Sequence, residues 1–202
     1  MSKTKDAKRL WFAGAAYGKR KSHVIAYIGV MTALNVVANA AASIPLGFTQ
    51  FSLTIFFSVL TGILIGPLYG FTACFIGDTL GYMIANTGAN GWTPWIGLAT
   101  AMMALIGGLV FNGIPLKGKN AWVGKLFLIC LSTFLVSTVA INTTAMYWMW
   151  YKKTFDSWWL FLTTRLFLDG QIFNSLINYG LLFFALPALA KVKPLRIKIS
   201  EK

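Results

Sequence analysis

Apolar residues form six long segments along the chain, and short connections separate them. These segments cover residues 24–44, 51–65, 68–86, 95–114, 122–150 and 158–189. A helix needs about 20 residues to cross about 30 Å of hydrocarbon, so the second segment is short. It ends at Gly66-Pro67, a pair that predicts a tight turn whose proline begins the next helix. The pattern predicts an all-α integral membrane protein, built as a compact bundle of six transmembrane helices.

Composition and charge support a membrane protein and indicate its orientation. Of the 202 residues, 57% are hydrophobic and 11% are charged, against about 25% charged in soluble domains. Lys and Arg concentrate before the first segment, between the fourth and fifth, and after the sixth. The positive-inside rule therefore places both termini in the cytoplasm. We expect a basic N-terminal segment over residues 1–23, a membrane domain over 24–189 and a basic tail over 190–202.

The net charge of +13 raises the question of nucleic acid as a partner. The basic residues lie in short stretches beside the membrane with few interleaved aromatic residues, so we expect membrane lipids, not nucleic acid, as their partner. Enzyme motifs are nearly absent. The string GIPLKGKN approaches a phosphate-binding loop, but Asn120 stands where a hydroxyl residue would reach magnesium. Two cysteines and one histidine predict neither a metal site nor a cofactor, and we expect no catalytic residue.

Two of the connections expected outside the cell, SIPLGFTQ after the first segment and NTGANGWTPW after the third, are uncharged and contain Gly, Pro, amide, hydroxyl and aromatic residues. This composition favours a small-molecule site with apolar walls and a few hydrogen-bonding groups. The alternative is an aromatic belt at the membrane surface, where Trp is enriched. The candidate substrate-binding residues in these connections and in the sixth segment are Trp92, Trp95, Asn86, Thr93, Gln50, Arg165 and Asn174.

Three charged residues fall inside the predicted helices. Arg165 and Asp169 are four residues apart and so share a helical face, and Asp78 lies in the middle of the third segment. Charges within a membrane normally face the bundle interior, where they pair or line a cavity. We interpret Asp78 and Asp169 as buried structural charges. Arg165 either pairs with Asp169 or binds a substrate carboxylate, and the sequence leaves both interpretations open.

Small residues at helical spacing mark faces where helices can approach closely in lipid. The first segment contains Gly29-x-x-x-Ala33 and Ala38-x-x-x-Ala42. The third contains a longer stripe, which consists of Gly70, Ala73, Cys74, Gly77 and Gly81. Each stripe can pack inside the bundle or against another subunit.

Two strings, GILIGPLYGFTACFIGDTLGYM and TTRLFLDGQIFNSLINYGLLFF, resemble the folate-family substrate-specificity (S) components of energy-coupling-factor (ECF) vitamin transporters. The resemblance covers roughly residues 24–189. It implies an S component of an ATP-driven importer, which captures a vitamin or vitamin precursor from outside. A folate-like ligand is favoured, and pantothenate or cobalamin are alternatives.

The same resemblance implies partners and a docking face. The partners are a transmembrane coupling subunit and two cytoplasmic ATPase subunits, in the plasma membrane of a bacterium. Gly29 and Ala33 are the implied contact with the coupling subunit, and Ala38 and Ala42 are the alternative pair. A self-contained secondary transporter of a small organic solute is the alternative function, but it usually has inverted repeats, and the sequence contains no convincing repeat.

Overall fold

The structure, a computed structural model, describes residues 10–12, 18–40, 43–46, 49–85, 91–114, 118, 120–192 and 195. We number its main elements in chain order. They are α1 (Lys21–Ala40), β1 (Ser43–Leu46), β2 (Thr49–Ser52), α2 (Thr54–Ile65), α3 (Pro67–Ala85), α4 (Pro94–Gly113), α5 (Ala121–Tyr151), α6 (Trp158–Thr163, continued as Thr164–Leu168) and α7 (Gln171–Ala190).

Helices build the membrane domain, as predicted. Within the described residues, α1, α4, α5 and α7 are the helices that are long and apolar enough to cross a membrane. α2 has only 12 residues, and α3 has 19 residues but includes the charged Asp78. The structure therefore confirms an integral membrane helical bundle. The count of six crossings, the cytoplasmic termini and the domain boundaries stay predictions.

The predicted turn between the second and third segments is present. Gly66 separates α2 from α3, and Pro67 begins α3. The φ of Gly66 is 96°, a value that glycine adopts without the steric cost of a side chain. Its N–H donates to Gly62 O (3.0 Å), and its carbonyl accepts from Gly70 N (2.8 Å). These bonds hold the two helices in a tight hairpin.

A β-hairpin follows α1, and the all-α prediction missed it. β1 and β2 are antiparallel, with Ser43 opposite Ser52 and Leu46 opposite Thr49. Each strand has four residues, too few to show clearly the two-residue alternation that identifies a strand in a sequence. Ser43 and Ile44 of β1 therefore fall within the predicted first segment, and Phe51 and Ser52 of β2 within the second. β2 contacts α7, so the hairpin reaches the bundle.

The sixth apolar segment is two helices instead of the predicted one. α6 ends at Leu168, Asp169 and Gly170 form a break, and α7 begins at Gln171. Gly170 has a φ of 73°, which lies in the left-handed region that ends regular right-handed helix. Gly170 therefore explains the break. The apolar residues on both sides of it are compatible with one continuous helix, so the sequence pattern does not indicate the break.

Two helices contain long stretches of π-helix. These stretches are Phe134–Thr143 and Tyr147–Tyr151 in α5, and Thr164–Leu168 in α6. π-helix is rare and occurs frequently at functional sites. The π-helical geometry thus makes the C-terminal half of α5, together with α6, a candidate functional region.

The small residues of α3 pack inside the bundle. A Cβ atom added at Gly77 would lie 2.7 Å from Asn35 Cβ, and one at Gly81 would lie 2.9 Å from Asn39 Cβ, both on α1. One added at Gly70 would lie 2.8 Å from Gly62 Cα on α2. These approaches leave no room for a larger side chain, so this stripe is a contact within the chain and not a docking face.

The apolar core lies where α2 meets the other helices. Its fully buried members come from α2, α3, α5 and α7, and they include Val59, Ile63, Ile65, Ala73, Leu126, Ile129, Leu182 and Leu186.

Candidate functional site

Asp78 is held by hydrogen bonds from three separate parts of the chain. Its carboxylate Oδ1 accepts from Asn39 Nδ2 on α1 (3.1 Å) and from Thr100 Oγ1 on α4 (3.0 Å). Its Oδ2 accepts from Trp92 Nε1, just before α4 (3.0 Å). Asp78 is only 4% exposed, and such charge-assisted bonds are the strong ones. The geometry supports the structural interpretation of Asp78.

Trp92 is packed into the bundle as well as bonded to it. Its ring meets Phe75 edge-on, with a centroid distance of 6.2 Å. Gly97 makes space for it, because a Cβ there would lie 3.2 Å from Trp92 Cζ2. Trp95, in the first turn of α4, is 55% exposed. Trp92 is therefore an anchor for the segment before α4, and the exposure of Trp95 is typical of a belt residue at a membrane surface.

Three more candidate residues belong to the connections expected outside the cell, and the structure describes each of them to a different extent. Thr93 is 7% exposed, and its Oγ1 is buried without a hydrogen-bond partner. It occupies the N-cap position of α4 but its side chain does not cap the helix. Gln50 lies in β2, where the structure describes its backbone and not its side chain, and Asn86 lies outside the described residues.

Asn174 joins α7 to the β-hairpin. Its Oδ1 accepts from Ser52 N (3.3 Å) and from Asn178 Nδ2 (3.0 Å). Asn178 also donates to Ser52 O (2.8 Å) and accepts from Phe56 N (2.9 Å). The two amides thus bind the backbone where β2 leads into α2. Sequence reasoning identified Asn174 but missed Asn178, although the four-residue spacing places both on one helical face.

Arg165 lies between α5 and α6 in a buried polar setting. It is 3% exposed, and one of its terminal nitrogens, Nη1, donates to Thr143 Oγ1 on α5 (2.7 Å). Its Nε is buried without a hydrogen-bond partner. Asp169, four residues further along, acts on the guanidinium through its charge. Arg165 therefore has both a charge partner and unused hydrogen-bonding capacity.

Further buried polar atoms lie on α5 and at the start of α6. Ser137, Thr138 and Thr143 are at most 1% exposed. Buried polar atoms without a hydrogen-bond partner, among the residues described, also occur in α5 and at the start of α6, and they are Ser137 Oγ, Thr138 Oγ1, Asn142 Oδ1 and Trp158 Nε1. We call these four residues, with Thr143 and Arg165, the α5–α6 polar cluster. Most buried polar groups have hydrogen-bond partners, so the cluster is suited to a polar ligand that completes these bonds.

An aromatic wall adjoins the polar cluster. It consists of Tyr147, Tyr151, Phe155 and Phe161, with Phe161 fully buried at its centre. Tyr151 stacks on Phe161 at a centroid distance of 5.0 Å and an angle of 20°. Phe161 precedes Arg165 by four residues, which is about one helical turn. The centre of the aromatic wall and the guanidinium of Arg165 therefore lie about one helical turn apart on α6.

Sequence reasoning missed the α5 half of this cluster. The signal was present in STVAINTT, residues 137–144, which places hydroxyl and amide side chains within a long apolar segment. A hydroxyl in a helix often bonds to its own backbone, as Thr143 does to Thr138 O at 2.8 Å. Such residues alone therefore do not indicate a site. In the structure α4 packs against this stretch of α5, and α6 reaches it through the bond from Arg165 to Thr143.

α1 presents small residues on an exposed face. Within the described residues, no atom beyond the neighbouring turns of α1 lies within 4 Å of a Cβ placed on Gly29, and Ala33 is exposed. Val30 and Val37 beside them are 57% and 56% exposed. Ala38 of the alternative pair is 1% exposed, so it packs inside the bundle, and Ala42 lies outside the described residues.

A helical membrane bundle that buries polar groups without hydrogen-bond partners is the kind of structure expected of a membrane-embedded protein that binds a small polar molecule. Residues 19–190 match the family model described as ECF-type riboflavin transporter, S component, and the chain belongs to this family. It is therefore a multi-pass, non-enzymatic substrate-binding protein of the cell membrane, of the type that works with a coupling subunit and ATPase subunits. No curated protein matches the chain.

The predicted S component is confirmed, and the folate subtype is wrong, because the family that matches is the riboflavin type. The strings that suggested folate contain Gly70, Gly77 and Gly81, which permit close packing of α3 against α2 and α1. Residues that pack helices identify a shared scaffold. They carry no information about which vitamin the scaffold binds.

Proposed function

We propose that this chain captures riboflavin from outside the cell and presents it for ATP-driven uptake. The observation that carries the proposal is the α5–α6 polar cluster beside its aromatic wall. Riboflavin combines a flat three-ring system with ring carbonyl groups and a chain of hydroxyl groups. A wall of stacked rings and a set of unpaired polar atoms are the two surfaces that such a molecule requires.

The hydrogen-bonding groups of the flavin are complementary to the unpaired atoms of the cluster, with acceptors opposite donors and a donor opposite an acceptor. Its ring carbonyl and imine groups accept hydrogen bonds, which Arg165 Nε and the hydroxyls of Ser137 and Thr138 can donate. Its imide N–H is a donor, which Asn142 Oδ1 can accept. Riboflavin has no carboxylate, so in this proposal Arg165 donates to neutral oxygen or nitrogen atoms and does not form an ion pair with the ligand.

In this proposal the connections on the extracellular side complete the site. Thr93 contributes its buried unpaired hydroxyl, and Trp92 positions Thr93 through the bond to Asp78. Asn174 acts indirectly, since it holds the β-hairpin. Trp95, Asn86 and Gln50 form the outer rim in this proposal and contact the vitamin during entry.

Docking on the coupling subunit uses the exposed face of α1. In lipid, helices gain most from close backbone contact, which small residues permit. Gly29 and Ala33 are the exposed small pair, so we place the coupling subunit there and exclude the buried Ala38. ATP hydrolysis takes place in the partner ATPase subunits.

The test is a titration of the purified chain with riboflavin, followed by the quenching of flavin fluorescence. We expect saturable binding of riboflavin without ATP, and no competition by folate or pantothenate. Binding of folate in place of riboflavin would contradict the proposal. If uptake of riboflavin required an ion gradient, the alternative of a self-contained secondary transporter would be favoured.

A matched pair of threonine variants tests the location of the site. Thr138→Val removes a buried hydroxyl that has no partner within the chain, and we expect riboflavin affinity to fall by about 1 kcal/mol while the apo protein stays stable. Thr163→Val is the control, because Thr163 is exposed on α6 and bonds to its own helix at Trp159 O (3.0 Å). Equal affinities for the two variants would move the site away from α5.

A further inference from the structure

We infer that Asp169 sets the charge selectivity of the vitamin site, so that the site accepts the neutral flavin and rejects its phosphorylated form. The inference rests on the proposed function, since it concerns a flavin bound at the α5–α6 polar cluster. Asp169 is a specificity-determining residue in this account, and it acts by balancing the charge of Arg165.

The two charges are held close to each other by the end of α6. Asp169 follows Arg165 by four residues, and its N–H donates to Thr164 O (3.1 Å), which continues the π-helical spacing to the last residue. Gly170 then turns the chain with a φ of 73°. The Oδ2 atom of Asp169 is buried, and its carboxylate acts electrostatically on Arg165. A buried cation is thus balanced by a partly buried anion.

Among the described residues, the one other charged side chain that is buried is Asp78 on α3, whose carboxylate already accepts from Asn39, Thr100 and Trp92. The sequences of α4 and α7 contain no charged residue. In α5 and the turn that follows it, Lys152, Lys153 and Asp156 are exposed, so solvent and salt screen them. Lys125 lies near the opposite end of α5, where it donates to Phe111 O (2.9 Å). The buried part of the cluster therefore carries one positive and one negative charge.

A phosphate would upset this neutral arrangement. A phosphate monoester carries a charge of about −1.5 to −2 at pH 7. The attraction of Arg165 for the phosphate is offset by the repulsion from Asp169, so the pair as a whole offers the phosphate little net attraction. The cost of moving the phosphate charge out of water is then not compensated. A neutral flavin has no such cost.

Removing the charge of Asp169 should weaken the preference for riboflavin over its phosphate. In Asp169→Asn, Arg165 becomes an unbalanced buried cation, which attracts a phosphate. We expect the wild-type chain to bind riboflavin more tightly than riboflavin 5′-phosphate, and the ratio of the two affinities to fall by about tenfold or more in Asp169→Asn. The measurement is a pair of fluorescence titrations on the purified full chain.

Two further variants test whether charge is the cause. Asp156→Asn makes the same chemical change at an exposed carboxylate in the turn before α6, and it should leave the ratio unchanged. The double variant Arg165→Gln, Asp169→Asn is neutral again. It should bind both flavins more weakly but return their ratio toward the wild-type value.

The outcomes separate this inference from the proposed function. Riboflavin binding with the same ratio in wild type and Asp169→Asn overturns the inference and leaves the proposed function standing. Absence of riboflavin binding by the wild type overturns both. If Asp169→Asn does not fold, the wild type alone decides with riboflavin 5′-acetate, a neutral ester. Binding close to that of riboflavin supports selection by charge, whereas rejection as strong as that of the phosphate shows selection by size and overturns the inference.

Discussion

The hydrogen bonding of the α1–α4 half differs from that of the α5–α6 half. On the α1–α4 side, Asp78 receives three side-chain donors, and Asn35 bonds to Thr61 (3.0 Å) and accepts from Ser58 (3.1 Å). On the α5–α6 side, several buried hydroxyl, amide and guanidinium atoms have no partner, whereas on the α1–α4 side the one such atom among the described residues is Thr93 Oγ1. The paired half has the properties of a rigid scaffold, and the unpaired half those of a binding surface.

Backbone geometry follows the same division. α2, α3 and α4 meet through glycines, so their backbones are nearly in contact. α5 and α6 contain π-helical stretches, which are frequent at functional sites. Substitutions in the first half should therefore act on stability, and those in the second half on vitamin affinity.

The largest expected effect on stability is that of Asp78→Leu. The change removes the acceptor of Trp92 Nε1, at a cost of about 1–3 kcal/mol for an unsatisfied buried group. It also removes the charge-assisted bonds of Asn39 and Thr100, which keep only backbone acceptors, Asp78 O (3.2 Å) and Ile96 O (3.2 Å). We expect the melting temperature and the yield to fall with or without riboflavin. Asp78→Asn keeps the shape and one acceptor, so its loss should be smaller. If both variants stay stable and lose only vitamin affinity, Asp78 belongs to the binding half.

A smaller loss is expected for Trp92→Phe. This variant keeps a ring against Phe75 but removes the N–H that Asp78 accepts, a bond to a charged group worth about 1.5–3 kcal/mol. The control is Trp95→Phe, which changes an exposed side chain and should not alter the melting temperature. Weaker riboflavin binding by Trp92→Phe at unchanged stability would instead place Trp92 against the vitamin.

How much the sequence predicted depends on whether a feature is local. Gly66-Pro67 determines its own turn, so that turn was predictable, as were the apolar helices. The partners of Asp78 come from three different elements, and no pattern along the chain specifies them. The break at Gly170 was missed because a single glycine within an apolar segment is compatible with a continuous helix.

The candidate site was less predictable than the fold. Arg165 and Thr93 were identified because charge and exposed loops are visible in a sequence. Ser137, Thr138 and Asn142 were not, because a polar residue in a membrane helix becomes part of a site only when another helix buries it. Their burial comes with the packing of α4 against α5, and their link to α6 is the bond from Arg165 to Thr143. The sequence records neither contact.

The smallest expected effect on the isolated chain is that of the double variant Gly29→Leu, Ala33→Leu. Both positions face away from the rest of the chain, so the variant should fold and bind riboflavin as the wild type does. It should nevertheless fail to co-purify with the coupling subunit and to support uptake, because leucine side chains prevent close helix contact. Normal uptake would exclude this face as the docking surface, and lost riboflavin binding would show that it packs inside the bundle.

The central claim is that riboflavin lies against the α5–α6 polar cluster, and an experimental structure of the chain with bound riboflavin tests it most directly. We predict flavin atoms within hydrogen-bonding distance of Arg165 Nε and Asn142 Oδ1, with the flavin rings against the wall around Phe161. A flavin held between Trp92 and Trp95, with the α5–α6 cluster still unpaired, would contradict the account.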